Sequence, residues 1–448
     1  MLKERLTPEH YATIQKFRAF AEKVFVPLFM VIVGLVIFKP IEQWWSGPEV
    51  YKVYLVGNKN DSETQRIFRS IQQETALAKL KIDGREVDVE EKDDKGEIHV
   101  AQEIASHLVN GPDTLMVIGH VFSQRTKEML PTYMAGNPPV PVITTRETLP
   151  TLMGKVEYCQ EPGRYCPLIA MSPTDNDQAQ SIVDFAESQG AETFLILRED
   201  DDKNTDYIHG LVKGLRARID ADRNKMDAKV TAELLVLDQV SIDAAVDLTI
   251  SKHPKCIVYI GNFGTGKTYL SALQQQKAKN SQIVYSPITV LTDSSVGQEM
   301  LMSDVGSVFA SYQLSGEQYL AADNVYGVDS FAMVKQLVRQ VDENPIALQT
   351  DWHSSLRHLL NMHRVRDARI ALIAAMKANA DSGQPYVGLN GRKYAYVNRY
   401  SRQDSYFHVW RVENHLIAEA DSHDGWAKPW PRGVVSASQI TKIPSDSH

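Results

Sequence analysis

The most specific chemical signature in the sequence is Gly261-Asn262-Phe263-Gly264-Thr265-Gly266-Lys267-Thr268, which fits G-x-x-x-x-G-K-[ST] in full. In a phosphate-binding loop of this form, backbone amides cradle the phosphates. Lys267 would reach the terminal phosphates and Thr268 would hold magnesium. The match follows the apolar run 256–260 and precedes a helix-like segment. Three readings are open: a nucleotide-hydrolysing site, a turn that binds an anionic ligand through its amides and Lys267, and a chance match. No acidic strand end suited to magnesium follows, because Ile283-Val284-Tyr285-Ser286 ends in serine.

Other reactive side chains are sparse. Cys159 and Cys166 flank Pro162-Gly163, a pair that lets the chain turn back and bring two thiols together. A bridge there requires an oxidising compartment; the alternative is two free thiols in a loop. Cys256 lies in an apolar run and reads as a buried small hydrophobe. The thirteen histidines form no HExxH pattern and no CxxC pair occurs, so no metal and no cofactor is expected. From His353 to Arg369 the chain carries three His and four Arg, which suit either an anion or partner surface or a solvated helix face. A formal net charge of -8 and the lack of a basic block argue against nucleic acid.

The elements that must position these groups follow from the apolar pattern. Residues 24–38 contain no charge, and Trp44 and Trp45 follow. With its flanks this run approaches the ~20 residues that cross a bilayer, and the tryptophans suit an interfacial belt. Lys3, Arg5, Lys16, Arg18 and Lys23 precede it, which places the N-terminus in the cytoplasm. No small-x-small cleavage site is present, so residues 24–45 are expected to remain as an anchor, with 1–23 as a short cytoplasmic amphipathic segment. Beyond residue 50, apolar runs at 53–56, 114–118, 140–143, 194–197 and 257–260 alternate with amphipathic stretches such as 63–80, 178–188 and 207–219. Such alternation predicts parallel sheets covered by helices, with ligands at the strand ends. The tail, 436–448, is polar.

From about residue 51 to 420 the order of segments resembles the branched-chain amino-acid-binding proteins, which are type I periplasmic binding proteins. Gly119-His120-Val121-Phe122-Ser123 matches their glycine-plus-serine turn after an apolar strand. Pro141-Val142-Ile143-Thr144-Thr145-Arg146-Glu147-Thr148 matches their proline, strand and hydroxyl-rich loop. Residues 172–179, 326–330 and 388–391 match the passage into the second lobe, a later aspartate-bearing helix and an Asn-Gly turn. The resemblance implies an α/β fold of two doubly wound parallel-sheet lobes joined by a three-crossover hinge, preceded here by one transmembrane helix. Lobe one would comprise 50–170 with 303–385, and lobe two 175–300 with 386–435.

In that family hydroxyls and amides of lobe one hold an amino acid, and Ser123, Thr144 and Thr148 fall on those positions. Capping of the following helices is the alternative role for Ser123 and Thr148. In lobe two, Phe263 stands where an aromatic residue is common, whereas the polar run with Asn204 leaves Tyr207 shifted from the second aromatic position. The acid that meets the ligand's ammonium is replaced by Ile288 after Pro287, leaving Asp293 as a substitute. The resemblance therefore implies a binding protein and not an enzyme, tethered to the inner membrane with its main domain in the periplasm. It would close on a small amino-acid-like or anionic ligand and work with an inner-membrane partner protein. The alternative is a pseudo-binding protein serving as a structural or regulatory subunit; a P-loop NTPase is the third reading.

Overall fold

The computed structural model describes residues 50–312, except 83, 151, 153–155, 163, 200–204, 227–230, 262, 280–286 and 293–307, and then 325–343, 365–388 and the short strands between 393 and 436. The expected cytoplasmic segment, anchor and tail beyond Ser436 lie outside the described residues, as do Asn204 and Asp293. Among the described residues no helix is long and apolar enough to cross a membrane.

The first sheet is nucleated by runs that are buried on both faces. Val50–Gly57 (β1) lies parallel to Thr114–Gly119 (β4), with Val53 opposite Met116. Lys81–Ile82 (β2) and Arg85–Asp93 (β3) extend it on one side; Val142–Thr144 (β5) and Leu168–Ala170 (β6) extend it on the other. Side chains alternate across β1. Tyr51, Val53 and Leu55 face Ser62–Leu77 (α1), while Tyr54 and Val56 face Ile98–Asn110 (α2) and Ser123–Met134 (α3). Helices on both faces are what hydrophobic parallel strands demand. Glu157–Gln160 (α4) leads to β6, and the disulfide Cys159–Cys166, with Cα atoms 4.9 Å apart, closes this segment inside the second of those cores.

After β6 the chain crosses to a second sheet. Asp175–Ser188 (α5) opens with a capping box in which the Thr174 hydroxyl accepts from the Asp177 N–H and the Asp177 carboxylate accepts from the Thr174 N–H. There follow Thr193–Arg198 (β7), Thr205–Met226 (α6), Thr231–Val236 (β8), Ile242–Lys252 (α7), Cys256–Ile260 (β9), Phe263–Lys279 (α8), Ile288–Leu291 (β10) and Val308–Tyr312 (β11). Strands β8-β7-β9-β10-β11 are parallel neighbours. Here too the faces divide, with Phe194, Ile196 and Val258 against α5 and α6, and Leu195, Ile257 and Tyr259 against α7 and α8.

The chain then returns. Val325–Glu343 (α9) and Val365–Asp381 (α10) cover the first sheet beside α1. Tyr386–Val387 (β12), Lys393–Val397 (β13) and Tyr400–Gln403 (β14) join its edge through β6, and His408–Glu413 (β15), Leu416–Glu419 (β16) and Val435–Ser436 (β17) join the second sheet through β11. Three passages between sheets result. Two expected lobe limits are corrected: residues 308–312 belong to the second sheet, and 386–403 to the first. β14 pairs with β6, far away in sequence, so no local pattern announces that pairing, whereas β11 follows and pairs with its predecessor β10.

The His353–Arg369 stretch is corrected at its last member. Arg369 is 4% exposed on α10, neither on a solvated face nor on an anion surface. Its guanidinium donates to the carbonyls of Thr114 at 2.6 Å, Val109 at 3.1 Å, Leu108 at 3.3 Å and Gly111 at 3.4 Å. It satisfies the open carbonyl end of α2. Burial pulls its pKa down to about 10, against a rise from the charge of Asp113.

Candidate ligand cleft

The carboxyl ends of the parallel strands in both sheets collect the polar groups, as they do in doubly wound folds. In lobe one, β4 ends in Gly119 and α3 starts at Ser123. The N-cap is Phe122, which has no side-chain capping hydrogen bond. Ser123 therefore does not cap its own helix. Its hydroxyl instead accepts from the Thr148 N–H at 3.2 Å, joining the ends of β4 and β5. Thr148 passes the link onward, its carbonyl accepting from the Asp175 N–H at 2.8 Å at the start of α5. Thr144 and Thr145, at the end of β5, are buried with hydroxyls that have no protein partner. Hydroxyls and the amides of a helix start with no side-chain cap are donors of the kind a carboxylate takes.

Next to the end of β4 lies a buried charged cluster with no signature in the sequence. Asp94, at the end of β3, accepts from the Gly96 N–H at 2.9 Å and sits 3.5 Å from Arg125 Nε. His120 Nδ1 lies 2.9 Å from Asp94 Oδ2, and its Nε2 lies 3.2 Å from the Tyr133 hydroxyl. Burial pulls the His120 pKa down, against the hydrogen bond to Asp94, which raises it. The neutral ring then donates from Nδ1 to the carboxylate and accepts at Nε2 from Tyr133. Burial pushes the Asp94 carboxyl up, but His120, the Gly96 N–H and Arg125 outweigh it and hold the pKa below the usual value. Arg125 also stacks over Phe122, 4.9 Å from the ring centre.

In lobe two the Walker-like match takes a different form. The helix starts at Phe263, so Gly264, Thr265 and Gly266 are helical and only Gly261 and Asn262 separate it from β9. That stretch is too short to wrap a phosphate. The helix N-terminus is moreover occupied by a carboxylate: Glu199 Oε1 accepts from the Thr265 hydroxyl and Oε2 from the Tyr259 hydroxyl, both at 2.9 Å. The glycines have packing reasons. A Cβ on Gly261 would lie 2.7 Å from Glu199 Cβ, and one on Gly266 would lie 2.6 Å from the Tyr259 ring. The Tyr259 pKa is raised, by burial first and then by the Glu199 charge. Lys267 is exposed. Tyr207 packs in the core of lobe two and donates to Gln178 Oε1 at 3.1 Å. Phe263 is the first residue of α8.

The structure thus brings Ser123 and Thr148 into contact, sets Thr144 at the end of β5, keeps Tyr207 within the core of lobe two, and shows polar clusters around Glu199 and around Asp94 and His120. Glu199 carries no local sequence signal, because its partners Tyr259 and Thr265 lie 60 and 66 residues away. Among the described residues no group of His, Cys, Asp and Glu could hold a metal ion.

Comparison with known proteins agrees with this architecture. No curated protein matches the chain. Solved structures similar to it include an ABC transporter substrate-binding protein from Desulfitobacterium hafniense in complex with Leu, at 14% identity and TM-score 0.55, covering 83% of this chain and 99% of the other. A leucine-binding protein from Thermotoga maritima matches at 15% identity and TM-score 0.52, covering 86% and 99%. The substrate-binding protein of a Streptococcus pneumoniae branched-chain amino acid transporter, in complex with isoleucine, matches at 16% and 0.54, covering 82% and 97%. These similarities show the fold. The profile of the periplasmic binding protein family matches residues 72–296, half of the chain, and the protein belongs to that family.

Proposed function

We propose that this protein is an extracytoplasmic solute-binding protein that closes two lobes on a small amino-acid-like ligand. The observation that carries this reading is the start of α3, which has no side-chain cap and whose Ser123 is bonded by the Thr148 N–H, together with the buried, unpartnered hydroxyls of Thr144 and Thr145 at the end of β5. A carboxylate fits it, because hydroxyls and helix amides donate and bring no competing charge. Similar structures were solved with Leu and with isoleucine, and the disulfide suits an oxidising compartment. Closure follows as mechanism: contacts to both lobes exist only when they approach, so ligand shifts the open–closed population. Residues 24–45 tether the protein to the inner membrane, and a membrane partner receives the ligand or reads the closed form. Phe263 stands at the lobe-two side of the cleft.

Thermal unfolding with a panel of proteinogenic amino acids and small carboxylates tests the reading. One compound class is expected to raise the melting temperature, since a ligand at ~100 times its Kd adds ~2.7 kcal/mol. Stabilisation by none of them, or by magnesium nucleotide alone, rejects it.

A further inference from the structure

Helix α3 starts at Ser123 in lobe one, and one turn along it stands Lys127. Helix α6 starts at Thr205 in lobe two, and its second residue is Asp206. Lys127 Nζ donates to Asp206 Oδ2 at 2.8 Å, joining the two lobes. The two side chains are only 19% and 34% exposed, so this pair is more sheltered than an ordinary surface contact. The same helix meets lobe one again one turn later. A Cβ on Gly210 would lie 3.8 Å from Leu149 Cδ2, in the loop that carries Thr148.

We propose that Lys127 and Asp206 form a closure latch, made only when the lobes meet and lost when they part. In an open form each charge is solvated and the attraction is screened beyond the Debye length, ~10 Å at 0.1 M salt. In the closed form the pair is sheltered and gains strength. Its placement couples it to the proposed cleft: Ser123 is one turn from Lys127 at the start of the same helix. A ligand that bridges the lobes and the latch stabilise the same state, so the latch prolongs ligand residence without touching the ligand. The inference rests on the proposed lobe closure, and its test requires no ligand.

The test measures an inter-lobe distance by pulsed electron spin resonance. Spin labels go on Glu103→Cys in α2 and Gln275→Cys in α8, both exposed positions. Cys256 is buried and Cys159 is bridged to Cys166, so neither interferes. Lys127→Glu, Asp206→Lys and the double reversal are compared with the parent in ligand-free protein, with circular dichroism confirming the fold. Each single reversal is expected to lower the closed-to-open ratio ~3-fold or more, and the double reversal to restore it. Raising sodium chloride from ~0.05 to ~0.5 M should open the parent. Identical distance distributions in all four proteins, or no recovery in the double reversal, overturn the latch. Recovery in the double reversal together with failure of every ligand would sustain the latch and reject the ligand reading alone.

Discussion

His120 shows how one side chain ties the fold to pH. It is 1% exposed and neutral between Asp94 and Tyr133, whereas in the unfolded chain it takes up a proton near pH 6.5. A folded pKa below the unfolded one means that the unfolded state binds more protons as pH falls. The stabilisation is complete above the unfolded value and is lost below it, at up to ~1.4 kcal/mol per pH unit. Asp94 acts in the same direction at lower pH, below the ordinary carboxylate range, because its folded pKa is also depressed. We expect His120→Gln to be less stable than the parent at neutral pH and to lose less stability between about pH 7 and pH 5. Urea midpoints across that range decide it; parallel pH profiles would contradict a neutral buried imidazole. No local pattern exposed this cluster, since Asp94 and His120 meet only when β3 and β4 flank β1. The contact between Ser123 and Thr148 is easier to anticipate, because each follows an apolar run whose strand character is evident.

Among elements, the interior strands were readable and the edges were not. β4, β7 and β9 are continuous apolar runs, as strands buried on both faces must be. β3 reads Arg-Glu-Val-Asp-Val-Glu-Glu-Lys-Asp and gives no such signal. It lies near the sheet edge, where Lys52 pairs with Glu90 at 2.7 Å and Lys59 with Glu91 at 2.6 Å. Charges there discourage pairing with another chain. The Walker-like octapeptide left three readings open because a motif specifies residue types and not where the helix begins. With the helix starting at Phe263 and Glu199 on its N-terminus, Gly261 and Gly266 serve packing. Arg369 carries an element-scale prediction. Arg369→Met removes the guanidinium donors to the carbonyls of Leu108, Val109 and Gly111 at the end of α2, of which only Leu108 keeps a second donor in the Gly111 N–H, and is expected to cost ~1–3 kcal/mol, the penalty for leaving buried carbonyls unsatisfied. Arg369→Lys should lie between. Equal urea midpoints for parent and Arg369→Met would show that the guanidinium is not needed there.

At the scale of the whole molecule, the described strands pass three times between two sheets, and the polar groups described above lie near the carboxyl ends of strands in both. The proposed tether belongs to this scale. N-terminal sequencing of membrane-purified protein should read from the region before residue 24, whereas a start near residue 46 would show that the segment is removed. The central claim is that a ligand carboxylate is held at the start of α3 by the hydroxyls of lobe one. Isothermal titration of the stabilising compound into parent, Ser123→Ala and Thr144→Val proteins tests it most directly. Each lost hydrogen bond to a charged group is worth ~1.5–3 kcal/mol, so each variant should bind ten-fold or more weakly while melting cooperatively. Undiminished affinity in both variants would place the ligand elsewhere and contradict the claim.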